Sequence, residues 1–330
     1  MKWIVSTGPN LRVPPKAGRY WVPSRNTKGV SVESLLDWGI DVVLWFQQFS
    51  PDLDAIFKFF TFLGDEEFFL ILLPLVYWSI DRSLGVRLMV ITLFSSLINA
   101  TAKEIGAQPR PFSYDSRVEP IVDAGGYGLP SGHTQASVVI WGFIASETRR
   151  RWMWFLAVFM MAGVGLSRIY LGVHFPTDVL GGVLLGLLIL LLWRSYGRPI
   201  EHWFCTQTLR TQIGLAAAVP LLVMAAFPSE DVVTASATFL GLSIGIVLER
   251  RFLHFSAAGS IIARIARFLL GGLILGGLWL GLRTLFGDAE PALLLRLLRY
   301  ALVGLWGAYG APWLFLKAGL APRDTAPATP

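Results

Sequence analysis

The chain has 330 residues, of which 54% are hydrophobic and 15% charged. With a mean hydropathy of +0.57, it holds far more apolar material than one water-soluble core can use, so a membrane-embedded protein is expected. The net charge of +6 falls in short basic clusters between apolar runs rather than along one polar face, which excludes nucleic acid as an expected partner and favours the bilayer, and the single cysteine, Cys205, excludes an internal disulfide framework and cysteine-based metal sites.

Residues 1–30 carry Lys2, Arg12, Lys16, Arg19, Arg25 and Lys28 without an apolar core, a polar basic segment unlike a cleaved secretory signal. Over 32–46, Glu33, Asp37 and Asp41 recur every four residues and lay a carboxylate stripe along an otherwise apolar helix. An interfacial helix is expected there, because each carboxylate at the bilayer centre costs about 2.5–3.5 kcal/mol. Apolar runs long enough to span a bilayer as helix follow near 64–81, 84–104, 133–148, 152–171, 176–194, 210–227, 231–249, 264–285 and 292–315. The fold class is therefore all-α, a polytopic helical membrane protein. Trp and Phe near the ends of these runs suit interfacial belts.

Arginines punctuate alternate turns: Arg82 and Arg87, then Arg149 to Arg151, Arg194 and Arg198, and Arg250 and Arg251. By the positive-inside rule those turns are cytoplasmic, and the turns at 105–132, 172–175, 228–231 and 287–291 face outward. Gly182 with Gly186, and Gly272 with Gly276, have the spacing that lets helices approach closely. Residues 31–197 hold every polar cluster and read as one helical bundle with its interfacial N-terminal helix; 198–320 read as additional transmembrane helices and 321–330 as a disordered tail. The sequence carries no signal of oligomeric state.

Three polar clusters interrupt the outward helix ends. Lys103 closes one span and is followed by Arg110 between two prolines; Pro130-Ser131-Gly132-His133 opens the next; Ser167-Arg168 leads through His174 to Asp178. Together they match what phosphoryl transfer to a histidine requires. Charge on several phosphate oxygens must be held by positioned donors, forked in Arg and compact in Lys, and Lys103, Arg110 and Arg168 suit that role. Ser131 and Gly132 stand at a helix N-terminus, where free N–H groups and the dipole favour an anion. His174 and Asp178, four apart, can share one helical face, so the carboxylate can orient the imidazole as in a triad. His174 is thus the nucleophile candidate. His133, with no carboxylate at that spacing, is the candidate general acid. Asp65, Glu66, Glu67 and Glu104 lie near the same face, where they can tune the site or cap helices, capping being the expectation; His202 and His254 have no comparable partners and are expected to be structural or exposed.

K-x-x-x-x-x-x-R-P over 103–111, P-S-G-H over 130–133 and S-R-x-x-x-x-x-H-x-x-x-D over 167–178 resemble the three signatures of the type-2 phosphatidic acid phosphatase superfamily. The resemblance implies a six-helix-type phosphatase core, here followed by about four extra C-terminal transmembrane helices. It implies a phospho-histidine at His174 supported by Asp178, protonation of the leaving group by His133, phosphate ligation by Lys103, Arg110, Ser131, Gly132 and Arg168, and neither metal nor cofactor. The expected substrate is a phospholipid or a polyprenyl or sphingoid phosphate, and the expected location a bacterial inner membrane with the site facing the periplasm. Extra spans after the core are similar to the layout of glucose 6-phosphatase, which leaves a soluble sugar phosphate as the rival substrate. Vanadate-dependent haloperoxidases share the pocket but are soluble, and a silent lipid-binding or transport protein is the non-enzymatic alternative.

Overall fold

A computed structural model describes residues 31–286 and 292–324. The basic segment 1–30, the turn 287–291 and the last six residues of the tail lie outside the described residues.

The chain folds as α1 (Val32–Gln47), α2 (Asp54–Phe62), α3 (Glu66–Leu75), α4 (Arg82–Gly106), the short α5 (Pro111–Tyr114), α6 (Gly132–Thr148), α7 (Arg151–Tyr170), α8 (Pro176–Thr206), α9 (Leu209–Ala226), α10 (Glu230–Leu248), α11 (Ile261–Phe286), α12 (Ala292–Leu305) and α13 (Ala311–Lys317). Wider turns at Val76–Ile80, Glu249–Leu253 and Trp306–Gly310 continue α3, α10 and α12. A single bridge, Phe255 to Arg323, is the one β-type pairing among the described residues. Local chemistry sets many of the boundaries. Asp81 accepts the Leu84 N–H at 2.8 Å to start α4, while Ser131, Thr208 and Ser229 cap α6, α9 and α10 in the same way. Proline at the first position of α8 needs no N–H partner there.

Seven of these helices are long and apolar enough to cross a membrane. Two of the nine expected spans are shorter: α3 with its wide turn, and α6 with 17 residues, about 25 Å of helix. The first is preceded by an unexpected helix, α2, which absorbs aromatic residues that the sequence reading left unassigned. In the opposite sense, α8 continues 12 residues past the expected end at 194, through Pro199 to Thr206. At 31 residues it is about 46 Å long and projects beyond a hydrocarbon core of about 30 Å. Gln212 of α9 turns back to cap it, donating to the Phe204 and Gln207 carbonyls.

The principal core joins α3, α4, α6 and α8 to the C-terminal helices through Tyr77, Trp78, Leu88, Ile91, Ile140, Phe143, Phe255 and Phe315, all buried. Close approach through glycine is real at one expected pair and absent at the other. A Cβ on Gly182 would meet the Ser131 carbonyl oxygen at 2.6 Å, and one on Gly186 would meet Val138 at 2.9 Å, so α6 and α8 touch at backbone distance. Gly272 and Gly276 have nothing within 4 Å; on α11 it is Gly271 that packs, against Trp78 and Phe315. The tightest crossing, α10 on α12, uses Gly241 and Gly304. Residues 321–324 return to the core, with Leu320 and Ala321 packed against it and the Asp324 N–H donating to the His254 carbonyl at 2.6 Å.

α4 and α7 run toward one end of the bundle, and α6 and α8 start from it. The three polar clusters therefore converge there because of helix direction alone.

Candidate active site

The construction begins with the turn between α7 and α8. His174 is 1% exposed and Asp178 fully buried in the first turn of α8. The Asp178 carboxylate has three neighbours that fix it: Oδ2 lies 3.1 Å from His174 Nδ1 and accepts the Phe175 N–H at 3.0 Å, and Oδ1 accepts from Gln108 Nε2 at 2.6 Å; Gly128 leaves room for it, since a Cβ there would lie 2.8 Å from Oδ2. On the other side of the ring, Arg110 Nη1 stands 3.2 Å from His174 Nε2. A guanidinium can only donate, so Nε2 holds a lone pair and Nδ1 carries the proton, donated to Asp178. Burial first, then the positive charges of Arg110, Arg168 and Lys103, push the His174 pKa well below the ordinary imidazole value. The imidazole is therefore neutral near pH 7, with its lone pair facing the cations.

Arg110 is fastened by carbonyls rather than carboxylates: Nη1 donates to Val173 O at 2.9 Å and Nη2 to Gly125 O at 2.6 Å, while Nε is shared by the Gly125 and Gly126 carbonyls. Arg168, 4% exposed, donates from Nη1 to Thr61 Oγ1, and its Nε is buried without a partner. Lys103, near the end of α4, lies within electrostatic reach of Arg110, Arg168 and Asp178. Among the described residues none of the three forms an ion pair with a carboxylate. Three cations without a carboxylate at ion-pair distance, with Asp65, Asp178 and Asp231 within electrostatic reach, gathered around a neutral imidazole make a site for a multiply charged anion.

The N-terminus of α6 is more occupied than the sequence suggests. The Ser131 hydroxyl accepts from Thr134, its own N–H donates to the Asp178 carbonyl at 2.9 Å, and its carbonyl takes the Gln135 N–H. Its hydroxyl proton and the Gly132 and His133 N–H groups are what remain for an anion. Gly132 permits a close approach, but to Asn99: a Cβ there would lie 3.0 Å from Asn99 Oδ1. Asn99 in turn donates to Gln135 Oε1 at 2.8 Å, and Gln135 to Ser95, a buried polar chain that pins α4 to α6.

His133 differs most from expectation. Its Nε2 lies 2.6 Å from Asp65 Oδ1, so the second histidine also has a carboxylate, supplied from 68 residues away rather than from its own helix. The expected cap role of Asp65 fails: it occupies the N-cap position of α3 yet makes no side-chain cap hydrogen bond. Glu66 and Glu67 do occupy the first turn of α3. His133 and the His174 group sit at the same end, while His254 lies at the opposite end, closing the wide turn after α10. Gln108, Asn99, Gln135 and Thr61 were missed by sequence reasoning, which placed Asp65 near this face but favoured a cap. Gln108 falls inside the first motif and was within reach of it; the others carry no local signal.

The PAP2 superfamily model matches residues 84–200, which contain all three clusters, and the model of the PAP2 superfamily phosphatase transmembrane extension matches residues 233–323. The chain belongs to the PAP2 superfamily. Sphingosine-1-phosphate phosphatase 2 of Mus musculus is 31% identical over 61% of this chain and 59% of its own length, so the chain spans about three fifths of that relative. Phosphatidylglycerophosphatase B of Bacillus subtilis (strain 168) is 29% identical over 46% of this chain and 79% of its own. The crystal structure of the first transmembrane PAP2 type phosphatidylglycerolphosphate phosphatase from Bacillus subtilis superposes with a TM-score of 0.45 at 24% identity, over 52% of this chain and 90% of that one. The PAP2 match begins at Leu84, so Thr61 and Asp65 lie outside both matched segments although they touch matched residues.

Proposed function

We propose that the chain is a membrane phosphohydrolase that removes phosphate from a lipid phosphate or diphosphate through a phospho-histidine at His174. The observation that carries this reading is the His174 ring itself: Nδ1 on Asp178 and an unprotonated Nε2 facing Arg110, Arg168 and Lys103. The phosphate enters where Arg110 now meets Nε2, bound by Lys103, Arg110, Arg168, the Ser131 hydroxyl and the Gly132 N–H. Nε2 attacks phosphorus, the bond to the leaving oxygen breaks, and that oxygen takes the proton of His133. Asp178 balances the positive charge that forms on the His174 ring. Water then attacks phosphorus, its proton passes to His133, and the P–N bond breaks to regenerate neutral His174. The charge a metal would supply elsewhere comes here from the three cations, so the reaction is expected to be metal-independent.

Lipid is the favoured substrate because the site lies at the ends of apolar helices, where a headgroup can enter while its tail stays in the bilayer. Two relatives are named for sphingosine 1-phosphate and phosphatidylglycerophosphate, while others, named glucose-6-phosphatase 3, keep the sugar phosphate as the rival. The orientation that suits the arginine pattern puts this end outward, toward a periplasm. The test is phosphate release by the purified full chain from phosphatidate, phosphatidylglycerol phosphate, a sphingoid phosphate, a polyprenyl diphosphate and glucose 6-phosphate. Release from one or more lipids is expected. Release from the sugar phosphate with none from any lipid would overturn the substrate assignment, and no release at all the activity.

A further inference from the structure

The turn that joins α2 to α3 brings two polar side chains onto catalytic-site residues of other helices. Thr61, 6% exposed, accepts from Arg168. Asp65 places Oδ1 2.6 Å from His133 Nε2. Between them Gly64 packs so closely that a Cβ would lie 3.0 Å from His133 Cβ and 3.1 Å from Cδ2. The turn is thus moulded on the imidazole. Asp65 also sits at the N-cap position of α3, with extended backbone angles, while its carboxylate turns away from the helix N–H groups. An N-cap hydrogen bond stabilises by about 1 kcal/mol, and Asp65 forgoes it in favour of His133.

We propose that Asp65 is a positioning residue for the acid step, favouring the protonated form of His133 and fixing the ring in one orientation. The proposal rests on the phosphohydrolase reading above, with His133 as the acid. The physical need is specific to this pocket. His133 must carry a proton when the leaving group departs, and burial first, then the like charges of Arg168 and Lys103, oppose that proton and lower the imidazole pKa. A carboxylate at hydrogen-bond distance offsets that opposition and fixes the ring plane, as Asp178 does for His174. Asp65 holds Nε2, so Nδ1 is the nitrogen left to deliver the proton. With side chains 26% and 34% exposed, the pair is also open to the water from which His133 is recharged. The site therefore contains two histidine–carboxylate pairs with different duties: Asp178 supports the ring that attacks, and Asp65 the ring that must hold a proton when the leaving group departs.

The test compares Asp65→Asn, Asp65→Glu and His133→Asn in the full-length chain, using an alkyl phosphate and an aryl phosphate whose leaving phenolate needs little protonation. Asp65→Asn is expected to lower kcat on the alkyl phosphate by about 10–100-fold, a part of the 10²–10⁴-fold that general acids contribute. The loss on the aryl phosphate should be at least about tenfold smaller. Activity on the alkaline side should fall at lower pH than in the parent, because the imidazolium has lost its counter-charge. Asp65→Glu should restore part of the rate, and in a His133→Asn background Asp65→Asn should cost nothing further. Vanadate binding checks that each variant is folded; should Asp65→Asn fail that check, the leaving-group comparison on Asp65→Glu decides. Equal losses on both substrates with an unmoved alkaline limb would reduce Asp65 to a packing role and overturn the proposal, as would wild-type rates. A parent chain inactive on both phosphates would instead sink the phosphohydrolase reading.

Discussion

His174 donates from Nδ1 to Asp178 and turns Nε2 toward a guanidinium, and the second contact requires a neutral ring. Burial and the adjacent cations act in the same direction. For a histidine, a lowered pKa means that the neutral form persists to lower pH than usual. In a histidine-detected NMR titration of the substrate-free protein, the signal lost on His174→Gln should therefore stay in the neutral Nδ1–H form through pH 6.5 and protonate only below it. A midpoint at or above about 6.5, the ordinary value, would contradict the assignment. Because His174 is the proposed nucleophile, His174→Gln should reduce turnover by about 10⁴-fold or more, the scale seen when a covalent nucleophile is lost. It should also abolish labelling of the protein by a radiolabelled substrate, yet keep measurable vanadate binding through Lys103, Arg110 and Arg168. Turnover within tenfold of the parent would remove His174 from the role.

The helices that carry these residues were legible in the sequence because a span advertises itself twice, by its apolar run and by the charges that end it. What was not legible depends on contacts between distant segments. α2 is nine residues long, too short to give a span signal, and it is held by packing on α7, where Phe57 stacks on Tyr170. Asp65 reads as an N-cap in any local inspection, since only the fold shows that a histidine 68 residues away competes for it. The glycines make the same point. The small-x-x-x-small spacing occurs at Gly182/Gly186 and at Gly272/Gly276, but only the first pair faces another backbone. Gly182→Val should cost about 1–3 kcal/mol by overpacking against the Ser131 carbonyl, lowering the thermal unfolding midpoint in detergent and, by moving the start of α6, the turnover of the folded fraction. Gly276→Ala meets nothing within 4 Å and should be neutral or stabilising by up to about 1 kcal/mol. Equal effects of the two substitutions would show that the α6–α8 crossing is looser than described.

Both ends of the bundle pair arginines with carboxylates, Arg296 with Glu230 and Arg117 with Asp115 at the site end, but the three cations of the pocket stay apart from such pairs among the described residues. At the end away from the site, arginines are neutralised: Arg82 by fully buried Glu249 at 2.6 Å, Arg87 by Glu147 at 3.3 Å, Arg198 by the same Glu147 at 3.7 Å, and Arg250 by Glu201. Glu249 also accepts the Phe255 N–H at 2.7 Å, so one carboxylate joins the start of α4 to the chain after α10. Arg82–Glu249 and Arg250–Glu201 tie the N-terminal bundle to the transmembrane extension, whereas at the opposite end Lys103, Arg110 and Arg168 form no ion pair among the described residues. The same asymmetry bears on orientation. Arg149 to Arg151, Arg194 and Arg251 cluster with the paired arginines, and a positive-inside chain puts that end in the cytoplasm and the phosphate pocket outside. With Cys205 changed to Ser, single cysteines at Arg117, exposed in the loop above the site, and at Arg151, at the far end, read the orientation directly. On intact bacteria a membrane-impermeant maleimide should label Arg117→Cys and spare Arg151→Cys until the cells are opened. The reverse pattern would place the pocket in the cytoplasm, so that a lipid phosphate would have to reach it from the inner leaflet.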